Sequence, residues 1–287
     1  MKSWWTLLVL GLGLLLVSCR PFWDSRPLTD QEVVDKYFGR NAKAEYDSQG
    51  RVISIICPRG WDSSLERHIF QFFNLPTACK IQDKETLPPE IGQLTALQVL
   101  FLREGSLTTL PPEFGNLTNL ERLALSNNSL TTLPAEMGQL KNLHRLVLDN
   151  NNLTSLPAEI GQLTNLQLLS LGGNRLSLLP PEIGQLTGLE TLWLGRNHLT
   201  TLPPEIGQLK NLKNLNVERN TLTMLPPQVG QLTSLEELNI AYNNLTTLPS
   251  EMEQLTNLKK LLLWENNFAS PPHVVEQLRA RGVDVIP

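Results

Sequence analysis

LPPEFGNLTNLERLALSNNSLTT, residues 110–132, decides the fold, because the chain repeats it. Units begin at Leu87, Leu110, Leu133, Leu156, Leu179, Leu202, Leu225 and Leu248, a constant shift of 23 residues. Counting the first Leu as position 0, apolar residues return at positions 0, 4, 7, 10, 13, 15 and 20. Position 7 is Leu in every unit, from Leu94 and Leu117 to Leu232 and Leu255. Self-similarity at such a period marks supersecondary units that bury their apolar faces only by stacking. In the L-x-L core at positions 13–15, a spacing of two sends both leucines to one side of a strand. Parallel strands stacked in this way share a continuous Leu core.

The segment L-x-x-L-x-L-x-x-N-x-L within each unit resembles the leucine-rich repeat, over about 185 of the 287 residues. The resemblance implies an α/β repeat solenoid, a horseshoe with a concave parallel sheet and short helical or 3-10 turns on the convex side. It also implies a role for the Asn column Asn128, Asn151, Asn174, Asn197, Asn220, Asn243 and Asn266. Each would sit inside the turn after a strand, its amide bonding the backbone of adjacent coils. Gly105 replaces Asn in the first unit, which predicts a weaker ladder at that end.

The other half, L-P-x-E-I-G-Q-L, belongs to the convex side. Pro fixes φ and offers no N–H, which suits the start of a helical turn. A cut solenoid exposes its core, so lids are expected. Thr29–Phe38 predicts a short helix with Thr29 or Asp30 as N-cap, Arg51–Cys57 (RVISIIC) a capping strand beside the first repeat, and Leu65–Leu75 a further helix. Val275 and Leu278 keep the spacing of a ninth unit whose leading Leu is Pro271, and Val283–Ile286 predicts a last strand. The expected organisation is residues 1–18 as signal peptide, 19–86 as tether and N-terminal cap, 87–270 as eight repeats and 271–287 as C-terminal cap, with no appended domain.

Lys2 precedes an eleven-residue run of Leu, Val and Gly from Leu7 to Val17. That length covers about half of a bilayer's hydrocarbon core, so it reads as the h-region of a secretion signal. Leu16-Val17-Ser18-Cys19 resembles the bacterial lipobox, which implies cleavage before Cys19 and acylation of it; an incidental cleavage-site Cys is the alternative. Each buried acyl methylene contributes about 0.8 kcal/mol, so several chains hold stably. Arg20, where an inner-membrane lipoprotein of the enterobacterial type carries Asp, favours the outer membrane or cell surface. Export permits a Cys57–Cys79 disulfide, closing a loop of about 23 residues and contributing about 3 kcal/mol; two buried thiols are the other possibility.

The whole chain carries a net charge of −4, and no basic run tracks a phosphate backbone, which argues against nucleic acid as a partner. The four His residues (His68, His144, His198, His273) share no metal-ligand spacing, and H-E-x-x-H, C-x-x-C, G-x-S-x-G and phosphate-loop motifs are absent. No catalytic, metal or cofactor-binding residue is therefore assigned, and no small-molecule substrate is expected.

The variable surface is the concave sheet, where three outward positions per strand form columns. Candidate partner-binding residues there and at the strand ends are Phe101, Arg122, Arg145, Val147, Asp149, Trp193, Arg196, Glu218, Arg219, Tyr242 and Trp264. Trp193 is the most informative, since Gly172, Gly173 and Gly195 offer no side chains to cover it. A large aromatic on a bare floor near two arginines has the composition of an interface anchor; drift on a surface the repeat leaves unconstrained is the alternative. The expected function is a membrane-anchored scaffold binding a protein through its concave face. A passive periplasmic envelope organiser is the second reading. Ubiquitin-ligase-like and small-GTPase-signalling repeat proteins share the repeat wording, but only 17 residues run from Pro271 to the end, and the export signal argues against a cytoplasmic role.

Overall fold

The computed structural model describes residues 29–38, 43–57 and 85–287. Eleven strands form one sheet in strict chain order. β1 (Lys43–Tyr46) and β2 (Val52–Cys57) make an antiparallel hairpin, and every later pairing is parallel. The repeat strands are β3 (Val99–Leu102), β4 (Arg122–Ala124), β5 (Arg145–Val147), β6 (Leu168–Ser170), β7 (Thr191–Trp193), β8 (Asn214–Asn216), β9 (Glu237–Asn239) and β10 (Lys260–Leu262). Each is only three or four residues long, because one L-x-L pair is all that the repeat commits to the inner face of the sheet.

The return path of each coil is a five-residue 3-10 helix, from Pro89–Gln93 in the first to Ser250–Gln254 in the eighth. A proline precedes every one in extended conformation, as Pro157 does at φ −67° and ψ 148°. Such turns are too short to persist alone. They hold because positions 4 and 7, for example Ile160 and Leu163, are fully buried against the strand leucines Leu169 and Leu171. Burying one such side chain is worth about 1.5–3 kcal/mol.

Two asparagine ladders stitch the coils. In the first, Asn174 donates from Nδ2 to the carbonyls of Leu148 (3.0 Å) in the preceding coil and Leu171 (2.9 Å) in its own, while its Oδ1 accepts from the Leu153 N–H (3.0 Å). Asn128, Asn151, Asn197, Asn220, Asn243 and Asn266 make the same set of bonds. Gly105 has no amide to contribute, so the first coil lacks this stitch. The second ladder was not expected: on the convex edge Asn119, Asn142, Asn165, Asn211 and Asn257 each donate to a carbonyl 24 residues earlier.

The recurring glycine at position 5 has a steric cause. A Cβ on Gly161 would lie 2.5 Å from the Glu182 carbonyl oxygen of the next coil, and Gly92, Gly115, Gly138, Gly184 and Gly207 face the same obstruction. Glu253 breaks the series where the next coil no longer has a 3-10 turn: α2 (His273–Ala280), a full α-helix, stands there instead.

Both ends are lidded. α1 (Asp30–Tyr37) starts at Thr29, whose hydroxyl accepts from the Glu32 N–H while the Glu32 carboxylate accepts from the Thr29 N–H, a reciprocal capping box. Its Val33 and Val34 join the core with Val52 and Ile55 of β2, which pairs in parallel with β3 as the sequence predicts. At the far end β11 (Asp284–Ile286) extends the sheet beside β10, and Arg281 donates to the Glu253 (2.6 Å) and Leu255 (2.7 Å) carbonyls, closing the last turn. The predicted helix at 65–75, along with Cys19 and Cys79, lies outside the described residues, and nothing is described of the Cys57 side chain.

Candidate interaction surface

Parallel register sets same-column residues of successive strands side by side on the concave face. Arg122 pairs with Arg145, Phe101 with Ala124 and then Val147, and Ser170 with Trp193 and then Asn216. The surface divides into two halves of different character.

At the N-terminal half, Phe101, Ala124 and Val147 are only 7%, 2% and 6% exposed and form an apolar cluster separate from the solenoid core, edged by Val99 and Leu168. Alternation along the strand places these side chains outward, but lateral contact between neighbouring strands removes them from water. Phe101 and Val147 are therefore less open to a partner than the sequence pattern suggests. Beside them the half-buried Arg145 has its pKa lowered, first by burial and then by the positive charge of Arg122.

In the middle, the Asp149 Oδ1 accepts from the Ser170 hydroxyl (2.6 Å) and the Gly172 N–H (2.8 Å). Gly172 leaves room for this, since a Cβ there would lie 2.9 Å from the Asp149 Oδ1. Trp193 stands half-exposed next in register, between Ser170 and Asn216. Glu218 is also tied into the sheet, its Oε2 accepting from the Asn239 Nδ2 at 2.7 Å. The acidic candidates Asp149 and Glu218 thus serve the scaffold itself, whereas the Trp193 side chain makes no hydrogen bond among the described residues.

The C-terminal half carries an aromatic cluster on the turn that follows the strands. The Arg219 guanidinium lies 4.5 Å from the centre of the Tyr242 ring, and Tyr242 meets Trp264 edge to face with centroids 6.3 Å apart. Both interactions favour these geometries through the ring quadrupole. Tyr242 remains 39% exposed. Three strand spacings, about 14 Å, separate Trp193 from Trp264 along the sheet.

One property of this turn is not legible from residue types. Position 17 has left-handed backbone throughout, with φ from 53° to 66° at Glu104, Asn127, Asn150, Gly173, Arg196, Arg219, Tyr242 and Glu265. Among the described residues no group of three or more His, Cys, Asp or Glu side chains converges as a metal site, and no helix is long and apolar enough to cross a membrane.

Comparison with known proteins follows the same geometry. A family model described as a leucine-rich repeat region matches residues 189–280, and a second, described as leucine rich repeat, matches 95–153 and 141–199. A leucine-rich-repeat protein of Leptospira interrogans is 41% identical in sequence, with a TM-score of 0.68 over 77% of this chain. The chain spans 56% of that protein's length. The leucine-rich-repeat domain of the type III effector XopL is 29% identical at a TM-score of 0.66, with 72% of this chain and 74% of that domain covered. A TDR receptor is 27% identical at a TM-score of 0.55, over 70% of this chain and 40% of the receptor. No curated protein matches significantly.

Proposed function

The chain belongs to the leucine-rich-repeat proteins, and from that premise we propose that it is a non-enzymatic scaffold that binds a protein partner through its concave face and is held to a bacterial envelope by lipid on Cys19. Curved sheets of stacked repeats offer an extended surface complementary to a macromolecule. The observation that carries the reading is Trp193. It stands half-exposed in mid-sheet, in register between Ser170 and Asn216, while Ala124, Val147 and Ser170 of the same column are buried. Folding does not require an indole there, and partly exposed aromatics on open ground are typical anchors of binding surfaces. Arg219, Tyr242 and Trp264 extend the same surface by three coils.

The test is capture of envelope proteins by the immobilised chain. Trp193→Ala, alone and with Arg219→Ala, is expected to weaken retention of any specific partner by about thirtyfold or more, the loss typical of an interface hot spot. Circular dichroism should stay that of the parent. Equal retention by both variants overturns the concave-face reading. The anchor has its own test in the mass of the mature N-terminal peptide from a diderm host. An acylated peptide starting at Cys19, lost in Cys19→Ser, supports it; a chain retaining Met1, or cut without lipid, removes it. Arg20 favours the outer membrane or surface for the anchored protein, which fractionation of the same cells checks.

A further inference from the structure

The left-handed turn at position 17 gives a reason to look beyond Trp193. Residues with a Cβ avoid this conformation, whereas Asn and Gly adopt it readily. Asn127, Asn150 and Gly173 fit that rule, but Glu104 does not, nor do Arg196, Arg219, Tyr242 and Glu265 in the four coils that follow Gly173. Residues that oppose local backbone preference mark positions held for something other than folding. Arg175 lies at position 19 of the preceding coil, so three exposed arginines occupy the turns after the strands in three successive coils.

These cations differ from those on the opposite end of the strands. There Lys213 and Lys259 bond Glu190 and Glu236 at 2.8 and 2.6 Å. Among the described residues no carboxylate lies within ion-pair distance of Arg175, Arg196 or Arg219. Glu218, the acid next to Arg219 in sequence, already accepts from Asn239. On a chain of net charge −4, these are arginines without an ion-pair partner among the described residues, followed along the turns by the Tyr242–Trp264 pair and the exposed Glu265. Guanidinium forks suit carboxylates, and Arg196 and Arg219 occupy the same position of neighbouring coils, about 5 Å apart along the sheet, which suits a chain running along the rim.

We propose that the rim formed by Arg175, Arg196 and Arg219 binds an acidic, extended segment of the protein partner, with an aromatic or apolar residue of that segment seated on Tyr242 and Trp264. The proposal rests on the binding-scaffold reading above and names the chemistry of what is bound.

Arg196→Asn with Arg219→Asn supplies a test in which folding cannot be confused with binding, because Asn already occupies this column at 127 and 150. The probe is a fluorescein-labelled peptide of alternating Glu and Gly ending in Leu-Trp, titrated against the full chain and followed by anisotropy. Parent binding should weaken with salt, and the double Asn variant should lose about tenfold in affinity for each guanidinium removed. Its melting temperature should equal or exceed the parent's. Lys213→Gln with Lys259→Gln, the same charge change at the other edge, should leave affinity unchanged. The proposal is overturned if the Asn variant binds as the parent does, or if a Gln-for-Glu peptide binds equally. Binding of heparin without binding of the acidic peptide also overturns it, since the anion would then be a glycan. Should Trp193→Ala leave partner capture intact while peptide binding still requires Arg196 and Arg219, the concave-face reading falls and the rim remains. The reverse pattern removes the rim alone.

Discussion

Replacing Gly161 with alanine adds one methyl group, and in most loops that change would stabilise the protein by about 0.4–1 kcal/mol through the unfolded chain. Here it should do the opposite. The new Cβ would sit 2.5 Å from the Glu182 carbonyl oxygen, 2.8 Å from the Glu182 Cβ and 2.9 Å from the Gln185 Oε1. The glutamine end can swing away, but the first two atoms belong to the turn of the next coil. Moving that turn means separating Ile160 from Ile183, both fully buried. Overpacking of this kind costs about 1–3 kcal/mol, which leaves a net destabilisation of about 1 kcal/mol after the unfolded-state gain. In a chain of this size that lowers the melting temperature by about 2–4 °C.

The assay is thermal unfolding by circular dichroism, joined to amide exchange of the 3-10 turns on either side of the substitution. Exchange matters because a repeat array can open locally without unfolding as a whole. Protection should fall first at residues 158–162 and 181–185. Glu253→Gly is the matched control, since the eighth coil has no following 3-10 turn to collide with; its change should stay within about 1 kcal/mol. A Gly161→Ala protein as stable as the parent would refute the reasoning, and the glycine column would need a cause other than the spacing of coils.

Asn174→Ala leaves the Leu153 N–H and the Leu148 carbonyl without their amide partner in the interior, so a loss of about 2–4 kcal/mol is expected by urea denaturation. Asn165→Ala, which removes a single exposed bond to the Lys141 carbonyl, should stay below about 1 kcal/mol. Arg281→Ala should raise amide exchange at Met252 and Leu255 while leaving the central coils protected, because its guanidinium closes only the last turn. The exposed ladder Glu190–Lys213–Glu236–Lys259 has opposite signs at the two ends of the pH scale. The Glu236 pKa is lowered from 4.5, chiefly by its hydrogen bond from Lys259, so its contribution is present above 4.5 and is lost as pH falls through the folded value. The Lys213 pKa is raised from 10.5, chiefly by Glu190, so its contribution is present below 10.5 and disappears as pH rises through the folded value. NMR titration of the two side chains checks both directions, and high salt should shrink both shifts.

The sheet, the coil count and the lids were open to reading because each rests on apolar spacing, which a chain cannot disguise. Leu169 and Leu171 face inward in any fold that stacks these units. β1 is not legible in the sequence because the alternation in KAEY runs for only four residues and its apolar members are the small Ala44 and the exposed Tyr46. Its hairpin is made instead by the Asp47–Gly50 turn, in which the Asp47 carboxylate accepts from the Gln49 and Arg51 N–H groups. The second asparagine ladder is written in every L-T-N-L and L-K-N-L. Its bonds, however, join exposed atoms of neighbouring coils, and no burial rule draws attention to them. Phe101 and Val147 show the limit of alternation: it tells which face a side chain leaves from, not whether its lateral neighbours will cover it.

The surface is harder to read than the scaffold for a physical reason. A repeat fixes what the core needs and leaves its outward positions almost free, so composition alone cannot separate an anchor from drift. What separates them is cost measured against the repeat's own rule. Asp149 and Glu218 look like binding residues until their hydrogen bonds are traced, and then they belong to the sheet. Arg196 looks like one more exposed cation until its φ of 57° is set beside Asn127 at the same angle. Eight coils share one left-handed geometry at position 17, and Asn127, Asn150 and Gly173 are the three residues there that favour it. By that measure the run of Arg196, Arg219, Tyr242 and Glu265 stands out more sharply than Trp193, because an indole on an open sheet is merely unnecessary, whereas a long side chain on left-handed backbone is opposed by the chain itself.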